Sequence, residues 1–312
     1  MDNPHTNHNY NGISIIICTY NGEKTLPLTL RSIAKLELPK NIPTELILVN
    51  NNSSDNTSEI VLNEWNLYDS CISFKLVNEL NPGKMNAVFT GVYSASYDLI
   101  VFCDDDNLLY RDYLLKALDI MSNNNDVGAL GGQGFAISDV ELPNWFHEVS
   151  NSYACGRQRN RSGYCTDRRY LWGAGMVSSK KLLKKVMSTP MKCLGRNGNE
   201  LSSGEDTEIC LKIILLGKEL YFCEDLKYDH FIEARRLSLD YFNKMREGFV
   251  MASINNYSYE FEIQKLMNPG VKFYWACIKD LILILMIKFK IIKPLERKLF
   301  NIFFYIKKVS FK

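Results

Sequence analysis

Leu99-Ile100-Val101-Phe102-Cys103 runs straight into Asp104-Asp105-Asp106-Asn107. Five consecutive apolar residues read as a strand buried on both faces, the kind that fills the middle of a parallel sheet. In an open α/β sheet, ligands bind in the crevice beyond the carboxyl ends of the strands, so these three carboxylates stand at the functional edge. Side chains alternate along an extended chain, which predicts Asp104 and Asp106 on one side and Asp105 on the other. Hard oxygen donors of this kind suit Mg²⁺ or Mn²⁺ carrying phosphates, not zinc. A solvated acidic turn is the plain alternative; the buried strand ahead of the carboxylates favours the metal-phosphate site.

Working outward, Ile13 to Cys18 is an apolar strand, followed by Thr19-Tyr20-Asn21-Gly22 and a helical stretch from Leu26 to Leu36. Glu45 to Val49 leads through Asn50-Asn51-Asn52-Ser53-Ser54-Asp55 into a helix from Thr57 to about Leu67. A strand at Phe74 to Val77 and a helix at Met85 to Ser94 repeat the pattern. This alternation predicts an α/β fold with a mostly parallel sheet flanked by helices. Each loop after a strand is rich in Asn, Asp, Ser or Gly. Singly such loops are helix caps; together they gather groups able to bind a nucleotide along one edge.

The chain has 312 residues, 46% hydrophobic and 23% charged, enough for one main domain with an appendage and far from a disordered composition. Its nine cysteines form no C-x-x-C pair, so neither a disulfide framework nor a zinc knuckle is expected, and a reducing cytosol fits. Met1 to Asn11 lacks the apolar core of a signal peptide, which argues against secretion. The net charge of +2 is unevenly spread, because residues 271 to 312 hold ten Lys and Arg against two acidic residues and leave the remainder acidic. The apolar run Leu281 to Ile287 is far short of the roughly 20 residues that span a bilayer. Beyond Pro294, Leu295, Leu299, Ile302, Phe303, Ile306 and Val309 follow helical spacing beside Arg297, Lys298, Lys307 and Lys308. That pattern suits an interfacial helix on an anionic membrane surface, or a helix docked on the main domain. The expected boundaries are 12–260 for the main domain and 271–312 for a basic, membrane-associating segment.

The loops taken in order resemble the family-two glycosyltransferases of the GT-A fold, over roughly residues 12 to 250. The stretches that carry the resemblance are Ser14 to Gly22, Leu48 to Asp55, Asn81-Pro82-Gly83-Lys84-Met85-Asn86-Ala87, Asp104-Asp105-Asp106, Trp172-Gly173-Ala174-Gly175 and Gly204-Glu205-Asp206. The resemblance implies transfer of a sugar from a nucleoside diphosphate sugar to a saccharide or lipid-linked acceptor. Asp104 and Asp106 match the family's Asp-x-Asp motif, with Asp106 directly on Mn²⁺ or Mg²⁺ and Asp104 nearer the ribose. His230 resembles a third metal ligand, although a lone His is most often structural. Thr19, Tyr20 and Asn21 would line the base and ribose, with Glu23, Asn51, Asp55, Asn86 and Asp105 completing the donor site. Asn51 stands where members often carry an acidic residue, so the donor base stays open. Lys84 is either a phosphate ligand or a surface lysine.

Asp206, by the same resemblance, is the general base that deprotonates the acceptor hydroxyl, in an inverting in-line displacement. Glu205 would orient the acceptor, Trp172 would stack on a sugar, and Gly173 with Gly175 would permit close backbone approach. At a helix amino terminus, Glu205-Asp206 also reads as a cap. Arg235 and Arg236 are a diphosphate clamp or a solvated pair. The segment Asn144 to Tyr170 interleaves Arg157, Arg159, Arg161, Arg168 and Arg169 with Trp145, Phe146, Tyr153, Tyr164 and Tyr170. Such a mixture suits nucleic acid or an acceptor; with no nucleic-acid-binding motif and an acidic main domain, the acceptor is the expected partner and nucleic acid is not. No Gln-x-x-Arg-Trp occurs, which points to single additions rather than polymerisation. The expected setting is surface polysaccharide synthesis at the inner face of the cell membrane. A nucleotidyltransferase and a catalytically silent sugar-binding subunit of a membrane synthase are the alternatives.

Overall fold

The structure, a computed structural model, describes residues 10–197 and 201–267. The basic segment 271–312 lies outside the described residues. The first half alternates strictly: β1 (Ile13–Thr19), α1 (Leu26–Ala34), β2 (Thr44–Asn50), α2 (Thr57–Trp65), β3 (Ser73–Asn78), α3 (Lys84–Ser94) and β4 (Leu99–Asp104). The second half is less regular: β5 (Asn107–Leu109), α4 (Tyr113–Asn123), β6 (Val127–Ile137), α5 (Phe146–Val149), β7 (Gly163–Tyr164), β8 (Val177–Ser179), α6 (Lys180–Met187), α7 (Glu205–Leu215), β9 (Glu219–Phe231) and α8 (Leu239–Met267).

All nine strands join one sheet in the order β3-β2-β1-β4-β8-β6-β9-β5, with β7 pairing β9. The four strands of the first half are mutually parallel, and β6 runs parallel to β9; β8 is antiparallel to both β4 and β6. The strands are two-sided because their residues alternate between two cores. Ile13, Ile15, Ile17, Leu99, Val101 and Cys103 face one layer with Leu30, Val61 and Tyr113, which α1, α2 and α4 supply. Ile16, Ile47, Val49, Ile100 and Phe102 face the other, with Val88, Leu183 and Ile209 from α3, α6 and α7. That alternation is why a continuous apolar run was needed in β4: neither face meets water. A third, smaller cluster under α8 joins Phe146, Tyr153, Ile232 and Met245.

His230 lies near the end of one long strand, β9, opposite Asn107 of β5. Pairing of β6 with β9 slips between Gly131 and Gln133, and a side chain at Gly132 would run into the Leu226 carbonyl, so glycine there is what lets the two strands close around the irregularity. α8 runs on through residue 260 to Met267. Among the described residues no helix is long and apolar enough to cross a membrane.

Candidate active site

The carboxyl ends of β1, β2 and β4 converge, with Cys18 aligned to both Val49 and Asp104. The loops that leave these ends are sewn together by their own polar side chains. Asn21, in the left-handed region at φ 56°, accepts from Ser54 N at 2.8 Å, and its own N–H donates to Ser53 Oγ at 2.9 Å. Asp55 accepts from Glu23 N at 3.3 Å, and Glu23 Oε2 accepts from Asn56 N at 3.2 Å. Glu23 and Asp55 therefore set the shape of the loops, while Tyr20 is 48% exposed beside them. Asn51 is buried and fully engaged: its Nδ2 donates to Glu79 O and Asn81 O, and its Oδ1 accepts from Gly83 N at 2.8 Å. The side chain expected to read a base edge instead holds the loop that carries Lys84. Asn86 closes the same loop by donating to Pro82 O at 2.9 Å.

The three carboxylates separate as the alternation predicted for Asp105, but the chain turns after Asp104 and sends Asp104 and Asp106 to different partners. Asp105 points back to accept from Thr19 Oγ1 at 2.6 Å; burial and the neighbouring Asp106 raise its pKa to about 7 against the Thr19 hydrogen bond. Asp104 Oδ1 lies 3.6 Å from Lys84 Nζ, which also meets Glu205 Oε1 at 3.1 Å. Burial alone would depress the Lys84 pKa; Asp104, Glu205 and Asp206 overcome that and hold it well above the usual lysine value. Glu205, 5% exposed, is thus taken up by Lys84 rather than open to an acceptor. Its Oε2 has no hydrogen-bond partner.

Asp106 is the most heavily partnered. Its Oδ2 accepts from Arg236 Nη1 at 2.6 Å and lies 3.2 Å from His230 Nε2. His230 is 4% exposed, with Nδ1 against Tyr153 O at 2.7 Å. Burial opposes ionisation of both groups, but their mutual attraction wins: His230 is raised to about 10, and Asp106, aided by Arg236, falls well below the carboxylate range. The donor set Asp104, Asp106 and His230 has the right chemistry for a hard divalent cation, yet it does not fit one as arranged. The ligand oxygen of Asp106 is already held by two cationic groups, and no cluster of three potential ligands is assembled among the described residues.

Opposite Lys84, α7 begins at Glu205 with Gly204 before it at φ 100°. Asp206 Oδ2 accepts from Gly173 N at 2.9 Å in a cleft also lined by Cys18, Lys84, Asp104 and Glu205. Burial raises the Asp206 pKa to about 7, with Lys84 opposing and Glu205 and Asp104 reinforcing. A Cβ at residue 173 would stand 2.6 Å from the Asp206 Oδ2. Gly173→Ala should therefore displace the carboxylate and lower kcat at least about tenfold with the donor Kd unchanged, measurable by steady-state kinetics beside nucleotide titration. Equal kcat in the variant would mean that Asp206 needs no such placement.

Other expected contacts move elsewhere. Trp172 is 8% exposed and packs in the sheet core, with the Arg168 guanidinium 5.5 Å from its ring, so it offers no open stacking face. Gly175, at φ 70°, gives its carbonyl to the buried Tyr113 hydroxyl at 2.6 Å. Much of the basic segment is spent internally: Arg157 pairs with Glu224, Arg159 with Asp167, and Arg169 is buried near Glu260 of α8. Arg235 pairs with Glu233 on the surface, whereas Arg236 turns inward to Asp106. Sequence reasoning missed that inward turn and the Tyr153 carbonyl behind His230; adjacent arginines carry no periodic signal that tells them apart.

A nucleotide-fold edge, three carboxylates at one strand end and a half-buried carboxylate facing them fit a sugar transferase of the GT-A fold. The family described as Glycosyl transferase family 2 matches residues 14–187, more than half of the chain, and the chain belongs to that family. Among curated proteins it is similar to poly-beta-1,6-N-acetyl-D-glucosamine synthase of Staphylococcus epidermidis, 35% identical over 122 residues, which is 39% of this chain and 28% of the relative. The synthase of Staphylococcus aureus is 30% identical over 121 residues, again 39% of this chain and 28% of the relative. The chain thus matches well under a third of the length of these relatives. Crystal structures of S. aureus TarS 1-349 share the fold: the complex with UDP-GlcNAc aligns at TM-score 0.54 and 19% identity, over 82% of this chain and 72% of that one. The complex with UDP gives TM-score 0.55, at 19% identity over 82% and 71%.

Proposed function

We propose that this glycosyltransferase moves a sugar from a nucleoside diphosphate sugar to a hydroxyl of a saccharide or lipid-linked acceptor, with inversion, in the making of a surface polysaccharide. The observation that carries the reading is Asp206: a carboxylate held by Gly173 N–H, half-buried, at a helix start facing the Asp104 strand end. A base in that place takes the acceptor proton as the new bond forms, on the face opposite the departing diphosphate. Lys84, shared between Asp104 and Glu205, is the nearest positive charge for that diphosphate. The fold neighbour TarS, solved in complex with UDP-GlcNAc and with UDP, favours a uridine donor for the first trial. No step is written through Mn²⁺ or Mg²⁺, because Asp106 Oδ2 already meets Arg236 and His230. Peripheral attachment at the inner face of the membrane is part of the reading and is supported by the ten basic residues of 271–312.

The test is a panel of nucleotide sugars scored by donor hydrolysis, with and without Mn²⁺ or Mg²⁺, followed by NMR of the transferred anomeric centre. Retained configuration, or release of pyrophosphate in place of a nucleoside diphosphate, overturns it. A pH profile adds an independent check. Asp206 must be ionised to act, and the groups facing it are Lys84, Glu205, Asp104 and Gly173 N–H. With its pKa at about 7, kcat/KM should rise tenfold per pH unit below that value and level off above it. A flat profile from pH 5 to 8 contradicts the assignment.

A further inference from the structure

We propose that Arg236 is a resident cation on Asp106, and that a divalent metal can share Asp106 Oδ2 with His230 only by displacing it. Arg236 is 6% exposed and follows a short turn, Ala234–Arg236, directly after β9. Its Nη1 lies 2.6 Å from Asp106 Oδ2 and 3.5 Å from His230 Nε2, so one guanidinium nitrogen touches both groups that a metal would share. A metal held jointly by that oxygen and that imidazole would share Asp106 Oδ2 with the guanidinium, and two cations on one oxygen repel each other strongly.

The guanidinium is poorly satisfied there. Its Nε has no hydrogen-bond partner, and the rings of Tyr153 and Tyr241 stand 6.0 and 5.9 Å from its centre. A planar fork that commits one nitrogen to a carboxylate and leaves another buried without a partner is held mainly by charge, not by complementary geometry. Such a group can be displaced. Arg236 thus sets which cation Asp106 sees and is a positioning residue for the carboxylate.

The experiment is Mn²⁺ titration of the full chain, followed by the EPR signal of free Mn²⁺, with no nucleotide, sugar or acceptor present. Its outcome is therefore independent of whether the chain transfers sugar. The variant is Arg236→Met, whose unbranched apolar chain keeps the packing between the two tyrosines, while His230 still pairs with Asp106. We expect Mn²⁺ to bind the variant at least about tenfold more tightly than the parent, and Asp106→Asn added to it to remove the gain. Arg236→Gln repeats the comparison should the Met variant fold poorly by thermal melting. Equal Mn²⁺ affinity in the parent and either folded variant overturns the proposal. So does a gain that survives Asp106→Asn.

Discussion

Asp206→Asn should lower sugar transfer by about 10²- to 10⁴-fold while donor affinity stays within about twofold of the parent. The side chain keeps its shape, so its oxygen can still accept from Gly173 N, the contact now made at 2.9 Å, and the start of α7 is undisturbed. What is lost is the lone pair that takes the acceptor proton, since an amide is not a base at neutral pH. The replacement also removes a half-buried negative charge whose ionisation desolvation opposes, so the variant should be at least as stable as the parent near pH 7. Turnover and nucleotide titration on the same preparation separate these effects. Transfer at the parental rate places the base elsewhere, and a parallel collapse of donor binding would mean that Asp206 acts on the donor.

Glu208→Ala should cost about 3–5 kcal/mol of folding free energy, a large share of the 5–15 kcal/mol typical of a domain. Glu208 is fully buried on α7, and its two oxygens accept from the backbone of Lys192 at 2.8 Å, from Cys193 N at 2.7 Å and from the Tyr259 hydroxyl of α8 at 3.0 Å. The ammonium of Lys212 lies 3.2 Å away. Truncation takes the counter-charge from the buried Lys212 ammonium, which keeps the Thr189 and Pro190 carbonyls, and leaves the two backbone N–H groups unpaired. The same segment continues into Leu194 and Arg196, whose carbonyls accept from Met85 N and Lys84 N at the start of α3. Loss of Glu208 therefore loosens Lys84 as well. Urea unfolding followed by circular dichroism measures the cost; a loss below about 1 kcal/mol would show that water satisfies the pocket.

The strands β1, β2 and β4 were legible because a two-sided strand must be apolar at every position, and their loops because a strand end at the ligand edge must be polar. The placement of Asp206 at a helix start was legible from the apolar stretch behind it. Long-range partners were not legible. Nothing in Tyr228-Asp229-His230 tells that the strand runs unbroken from Glu219, because its pairing is decided by β6 and β5, residues about a hundred positions away. Trp172 reads as an aromatic platform in sequence; only the packing of the sheet turns it into core. Asn51 and Glu205 have the polarity of ligands, and what they bind is the protein itself.

The strand order has a consequence for how the chain is made. The parallel half, β3-β2-β1-β4, is complete once residue 104 has emerged from the ribosome. The other half stays open until β9 arrives, because β9 must slot between β6 and β5, both synthesised about a hundred residues earlier. During that interval one edge of β6 is unpaired, and Asp106 waits without His230 and Arg236. The nascent protein thus holds a finished nucleotide-type half beside an exposed sheet edge, and that edge is where premature pairing with another chain would begin.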